Sequence, residues 1–181
     1  MSCDIYVVFE VRRKDSGTWE NAGPPLVELA GEIRERLEYK QFRYHFEYDK
    51  TKDIPFPGKA FTDLGEWERA WQKNRESDFR VPQNYELYSI LANVRNDDAI
   101  RPICELRGVP SDPSPEFRWM VAYETGDGHS HSWLTLRELQ NYDWKSVNKD
   151  GYFSRFLTKT LPAMATLGAP DDVRMCFFFK G

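Results

Sequence analysis

Apolar residues alternate with period two near both ends of the chain and recur at three- and four-residue steps between them, a pattern that predicts strands flanking helices. Asp4 to Arg13 (DIYVVFEVRR) is rich in Val, Ile, Tyr and Phe and stops at the turn triplet Asp15-Ser16-Gly17, from which Thr18-Trp19-Glu20 returns as a short hairpin arm. Val173 to Phe179 (VRMCFFF) is so apolar that an exposed edge there would invite aggregation, so it is expected inside the sheet beside Asp4 to Arg13. Two more segments keep the strand period. Phe42 to Tyr48 (FRYHFEY) sets Phe42, Tyr44, Phe46 and Tyr48 on one face, and His129 to Leu134 (HSHSWL) follows the turn Gly126-Asp127-Gly128.

Helical stripes fill the middle. Leu26, Leu29, Ala30, Ile33 and Leu37 behind Pro24-Pro25 predict an amphipathic helix, and Thr62 is the expected cap of a helix through Trp67, Ala70 and Trp71 to about Arg75. Asn84 caps the most apolar stripe, Leu87, Ile90, Leu91 and Val94. Ser114 caps and Pro115 opens a helix through Phe117, Met120 and Val121, while Thr135 and Glu138 spell a capping box ahead of Leu136, Leu139 and Tyr142. Tyr152, Phe153, Phe156, Leu157 and Leu161 form the last stripe, which Pro162 is expected to end or kink. Lys50 to Gly58 reads as a loop. Arg95 to Pro113 carries only turn signals, and loops of that length are usually functional or mobile. These elements predict an α+β fold: one domain over residues 1–181, with a mixed or antiparallel sheet that contains both terminal strands and packs against several helices.

A chain of 181 residues with 40% apolar and 30% charged residues has enough of both to bury one core and wet its surface. Aromatics at 15% exceed what such a core needs and point to rings on a binding surface. A net charge of −4 argues against extended nucleic-acid binding, which needs a concentrated basic face. Cys3, Cys104 and Cys176 lie far apart, without CxxC spacing, as reduced thiols of a reducing compartment do. The first residues lack a basic leader, and no apolar run nears the about 20 residues that cross a bilayer, so a cytoplasmic location and no membrane partner are expected.

Two regions carry candidate chemistry. His129 and His131 share a face if the strand is regular, so the pair is a candidate for two metal ligands, with Asp127, Asp143 or Asp171 as a third; a bland hydrogen-bonding role is the alternative. The same histidines, with Asp127 to orient one and Ser130 or Ser132 nearby, are the catalytic candidates, although residues so close in sequence rarely form a working triad. Each Cys lies in or near an apolar segment, where its thiol pKa would rise. The long loop is bracketed by Arg95, Arg101 and Arg107, whose forks suit a phosphate or carboxylate with help from backbone at Gly108, or else salt bridge to Asp97, Asp98 or Glu105. Tyr85, Tyr88, Trp119 and Trp133 offer rings to stack on a base. No GxGxxG or GxxxxGK[ST] is present, and no cofactor is expected. The expected ligand site is therefore Tyr85, Tyr88, Arg95, Asn96, Arg107, Gly108, His129, His131 and Trp133, around a small nucleotide-like molecule. A protein-contacting face at Trp67 and Trp71 is a separate candidate.

Several blocks, Met1-Ser2-Cys3-Asp4-Ile5, Asn84-Tyr85-Glu86-Leu87-Tyr88 running on to Leu91-Ala92-Asn93-Val94-Arg95-Asn96, Arg107-Gly108-Val109-Pro110-Ser111-Asp112 with Ser114, His129-Ser130-His131-Ser132-Trp133-Leu134-Thr135-Leu136, and Val173-Arg174 before Phe177-Phe178-Phe179, span the chain. Together they resemble a family of small, mostly uncharacterised phage, prophage and bacterial proteins. Tyr6 stands where the family pattern has His, and Lys180 where it tends to have Asp, departures that put any site built on that His and Asp in doubt. The resemblance implies an accessory protein acting against host defence in a bacterial cytoplasm, by sequestering a nucleotide-derived signal or by gripping a host protein, and it favours binding over catalysis. A homo-oligomer fits this reading. The alternative is a hydrolase of a phosphate-containing small molecule using the His129-Ser130-His131 segment.

Overall fold

The computed structural model describes residues 3–29, 54–123, 128–147 and 151–181. Along the chain run β1 (Asp4–Arg12), β2 (Trp19–Asn21), β3 (Val27–Leu29), β4 (Lys59–Phe61), α1 (Leu64–Glu76), α2 (Tyr85–Ala92), α3 (Pro115–Tyr123), β5 (Gly128–Thr135), α4 (Leu136–Asn141), α5 (Trp144–Val147), a π-turn (Phe156–Thr160), α6 (Leu161–Ala165) and β6 (Val173–Lys180). The fold is α+β, as expected.

Its main sheet has the order β2-β1-β6-β5, with every neighbouring pair antiparallel. The expected meeting of the two terminal segments is observed: Asp4 stands opposite Lys180 and Val11 opposite Val173. Strand β6 is interior and buried from Val173 to Phe179, which explains its nearly continuous apolar run, broken by Arg174, where a half-wet strand would alternate.

Alternation across β6 divides the core in two. Val173, Met175, Phe177 and Phe179 join the larger cluster on one face with Leu87, Ile90 and Leu91 of α2, Leu139 of α4, Phe156 and Met164. Cys176 and Phe178 face the other way, into a smaller cluster with Val8, Phe117 and Met120.

Helix caps follow the sequence closely. Asn84 Oδ1 accepts from Leu87 N at 2.9 Å, Ser114 Oγ accepts from Phe117 N at 3.3 Å, and the Thr135/Glu138 capping box is complete. Helix α1 is capped by Asp63 rather than Thr62, its carboxylate accepting from Glu66 N at 2.8 Å.

Two expectations are corrected. The stripe from Leu26 does not open as a helix: Val27–Leu29 is a strand paired in parallel with Lys59–Phe61, and Lys59 N donates to Leu26 O at 2.9 Å. Gly58 abuts the Leu26 carbonyl so closely that no Cβ fits there. The remainder of that stripe and Phe42 to Tyr48 lie outside the described residues. Pro162 does not end its helix: a π-turn runs up to it, with Leu161 N–H donating to Phe156 O, and the helix changes from π to α at that point. Pro162 then falls in the first turn of α6, where a missing N–H leaves no bond unmade. No helix among the described residues is long and apolar enough to cross a membrane.

Candidate functional site

The segment 95–114 has no regular structure, as its turn signals predicted, but it is pinned at several points. Ile100, Ile103 and Cys104 pack on the larger core, and Phe117 beyond the segment lies in the smaller one, so the chain passes around the outer edge of β5 from one sheet face to the other. At that edge Arg107 N donates to Ser132 Oγ at 3.2 Å. The Arg107 fork clasps Glu138 with both terminal nitrogens and also donates to Trp133 O at 3.2 Å. Burial alone would push the Glu138 carboxyl up, but the Arg107 fork and the Thr135 donors outweigh it and hold it below the usual range.

Further along, Asp112 and Ser114 close on a buried ion pair. Arg174 Nε donates to Glu10 Oε2 at 2.6 Å, with side chains 3% and 0% exposed. The other two guanidinium nitrogens reach Asp112 Oδ1 at 3.0 Å and Asp112 O at 2.9 Å, while Ser114 N donates to Glu10 Oε1 at 2.7 Å and the Cys176 thiol to Glu10 Oε2 at 3.2 Å. Arg174 lies between Trp19, 4.0 Å from the ring centre, and Trp133, at 5.6 Å, and Trp133 is approached by Arg107 at 4.5 Å. Trp19, Arg174, Trp133 and Arg107 thus form an alternating column of rings and cations. All three guanidinium nitrogens of Arg174 and both terminal nitrogens of Arg107 already have protein acceptors, so in this corner, where an anion was expected, these cations clasp the loop to the sheet. Arg107 pairs with Glu138, not with the nearby Asp97, Asp98 or Glu105. Burial pushes the Cys176 and Cys104 thiols up, as expected for cysteines set in apolar surroundings.

The remaining expected ligand residues lie elsewhere. Tyr88 is fully buried, its ring 4.9 Å from Phe179, and burial pushes its phenol up. Tyr85 is 5.9 Å from Tyr88, carries the Arg95 guanidinium 5.1 Å above its ring and accepts from Cys3 N. Asn96 staples its own turn, donating to Ile100 O and accepting from Ile100 N. Gly108 has a positive φ of 73° with open space around it. The structure therefore splits the expected site into a Tyr85–Tyr88–Arg95 group on the larger core face and an Arg107–Trp133 group at the sheet edge.

The histidines are divided in the same way. Ser130 has φ 53°, and the β5–β6 register shifts between His129 and Ser132, a bulge that breaks the two-residue period. His129 stacks on Phe179, which belongs to the larger core, and His131 stacks on Phe178 of the smaller core, with ring centres 6.1 and 5.1 Å apart. The expected shared face is not formed. Asp127 lies outside the described residues, Asp171 is forked by Arg137, and no group of three His, Cys, Asp or Glu among the described residues is placed to hold a metal. Hydrogen bonding is local, between His129 Nδ1 and Ser130 Oγ at 3.0 Å.

Burial, reinforced by His129, lowers the His131 pKa. The unfolded chain then binds more protons than the folded one just below pH 6.5, so stability is full above that value and falls as pH drops through it. We expect His131→Phe to flatten the pH dependence of the unfolding midpoint between pH 5 and 7. An unchanged slope would show that His131 is not the group responsible.

Sequence reasoning missed a cavity of about 850 Å³ between β1 and α1. Tyr6 lines it on the sheet, stacked parallel on Phe178 at 5.1 Å. From α1 come Trp67 and Trp71, stacked at 6.0 Å, and from α3 come Trp119 and Tyr123, stacked at 4.8 Å, with Phe56 edge-on to Trp119 at 4.9 Å. Both pairs have the i, i+4 spacing that sets two side chains on one helix face, the signal by which they are legible in the sequence. Tyr6, one of the two departures from the resembled family pattern, is therefore a cavity residue. No family model, characterised protein or solved structure matches the chain.

Proposed function

We propose that the chain is a non-catalytic binding protein that takes a small ring-bearing molecule into the cavity between β1 and α1. The supporting observation is the pair of stacked aromatic doublets, Trp67–Trp71 and Trp119–Tyr123, lining one cavity from two separate helices. Its volume of about 850 Å³ lies within the range of small-molecule pockets. With the resemblance to phage and prophage proteins, the biological form of this reading is a phage-encoded counter-defence protein that sequesters a nucleotide-derived signal in the bacterial cytoplasm. A hydrolase built on His129 and His131 has less support, because their rings rest on residues of opposite core faces.

The test is calorimetric and thermal-shift titration of the purified chain with cyclic mono- and dinucleotides, ADP-ribose and nucleoside monophosphates. A ligand at a hundred times its dissociation constant should stabilise the fold by about 2.7 kcal/mol. Trp119→Ala should weaken binding while Trp133→Ala, at the clasp, should not. Absence of binding across the panel would sink the reading.

A second reading has its own observation. Helix α1 buries none of its residues, and Trp71 and Leu64 are 40% and 36% exposed, which suits a face gripping a host protein.

A further inference from the structure

The chemistry of the cavity wall narrows its ligand. Trp67, Trp71 and Arg75 follow one another at four-residue steps along α1 and form a column, with the Arg75 guanidinium 4.5 Å from the Trp71 ring centre and Trp71 stacked on Trp67. Arg75 and Arg80 both line the cavity, and neither has a carboxylate partner among the described residues. The contrast with the clasp is direct: Arg107 and Arg174 are each held by a carboxylate there. Arg75 stands in the last turn of α1, where a cation also suits the helix carbonyls, so its position needs no ligand to be stable. Glu28 and Glu68 line the same cavity, so its charge is mixed and a polyanion would meet repulsion.

We infer that the cavity is built for a flat aromatic ring carrying one terminal anionic group, the ring lying along Trp67 and Trp71 and the anion held by Arg75, as in a nucleoside monophosphate rather than a polyphosphate. This rests on the binding reading above. Stacking rings accept any base face, whereas the guanidinium fork selects for phosphate or carboxylate geometry, so the two halves of the ligand are recognised by different residues.

That division fixes the experiment. The wild-type chain is titrated with adenosine, AMP and ATP, with inorganic phosphate as competitor, and the measurement is repeated for Arg75→Gln and Trp71→Ala. AMP should bind at least about tenfold tighter than adenosine, and tighter than ATP, since a charge-assisted hydrogen bond contributes on that order. Arg75→Gln should bring AMP down to the affinity of adenosine and leave adenosine itself unchanged, while Trp71→Ala should weaken both. Arg75→Lys, which keeps the charge and loses the fork, should recover only part of the preference. Both positions lie on a helix that buries no residue, so melting within a degree or two of the wild type is expected for the variants and is checked alongside. Equal affinity for AMP and adenosine, preference for ATP, or an Arg75→Gln chain that still prefers AMP would overturn the inference and leave the binding reading standing. If these three compounds fail but another member of the wider panel binds, the inference again falls alone. If nothing in either panel binds, both fall.

Discussion

Glu10→Ala is expected to cost about 3–5 kcal/mol, the usual penalty for removing one partner of a buried ion pair. The substitution leaves the Arg174 guanidinium 3% exposed beneath Trp19, with only the exposed Asp112 to balance it, and strips the acceptor from Ser114 N and the Cys176 thiol. A loss of that size is a large part of the 5–15 kcal/mol that typically holds a domain together. Denaturant unfolding at pH 7 measures it, and a change below about 1 kcal/mol would mean the network is far looser than its geometry. The double variant Glu10→Leu/Arg174→Met removes both charges and keeps an apolar filling between Trp19 and Trp133. It should recover more than half of the loss, because the penalty in the single variant comes mainly from the stranded charge.

Phe178→Ala is the second large effect, at about 3–5 kcal/mol. The ring is stacked by Tyr6 on one side and His131 on the other, both at 5.1 Å, and is met by Phe117 at 6.2 Å. It is the centre of the smaller core, where Val8, Phe117, Met120 and Cys176 are the other buried apolar members, so few neighbours are free to close the hole. For a chain of this length a melting temperature lower by about 10 °C is expected, against a shift of a degree or two for Trp71→Ala, whose ring is 40% exposed. Similar melting of the two variants would refute the assignment of one ring to the core and the other to the binding face.

The parts of the fold legible from sequence are those set by local rules or by overwhelming apolarity. Val173 to Phe179 had nowhere to go but the sheet interior, and Asn84, Ser114 and Thr135 announced their helices because a cap needs only a side-chain oxygen within three residues of the first unpaired N–H groups. Val27–Leu29 was not legible, because its conformation is decided by a partner at Lys59–Phe61, beyond any local periodicity. The bulge at Ser130 was hidden for a different reason: a positive φ on a residue other than glycine leaves no compositional mark, yet it undid the expected pairing of His129 with His131. At the candidate site, sequence placed Arg107 and Trp133 among nine residues around one ligand; the structure sets the Arg107 guanidinium 4.5 Å from the Trp133 ring, and sequence could not show that the cation pairs with Glu138, 31 positions away. Trp67 and Trp71 were visible as an aromatic face. Their convergence with Trp119 and Tyr123 on one cavity belongs to tertiary structure alone.

The pairing of β1 with β6 also bears on how the chain reaches this structure. The contact between Glu10 and Arg174 joins residues 164 positions apart, so β6 is synthesised long after the strand it pairs with. Strand β1 must wait for the synthesis of that intervening chain without its main partner, its Val, Ile and Phe side chains unpaired with β6. Loop-closure entropy must be met before that pairing returns any stability, which places the sheet among slow-folding topologies with long-range strand pairing.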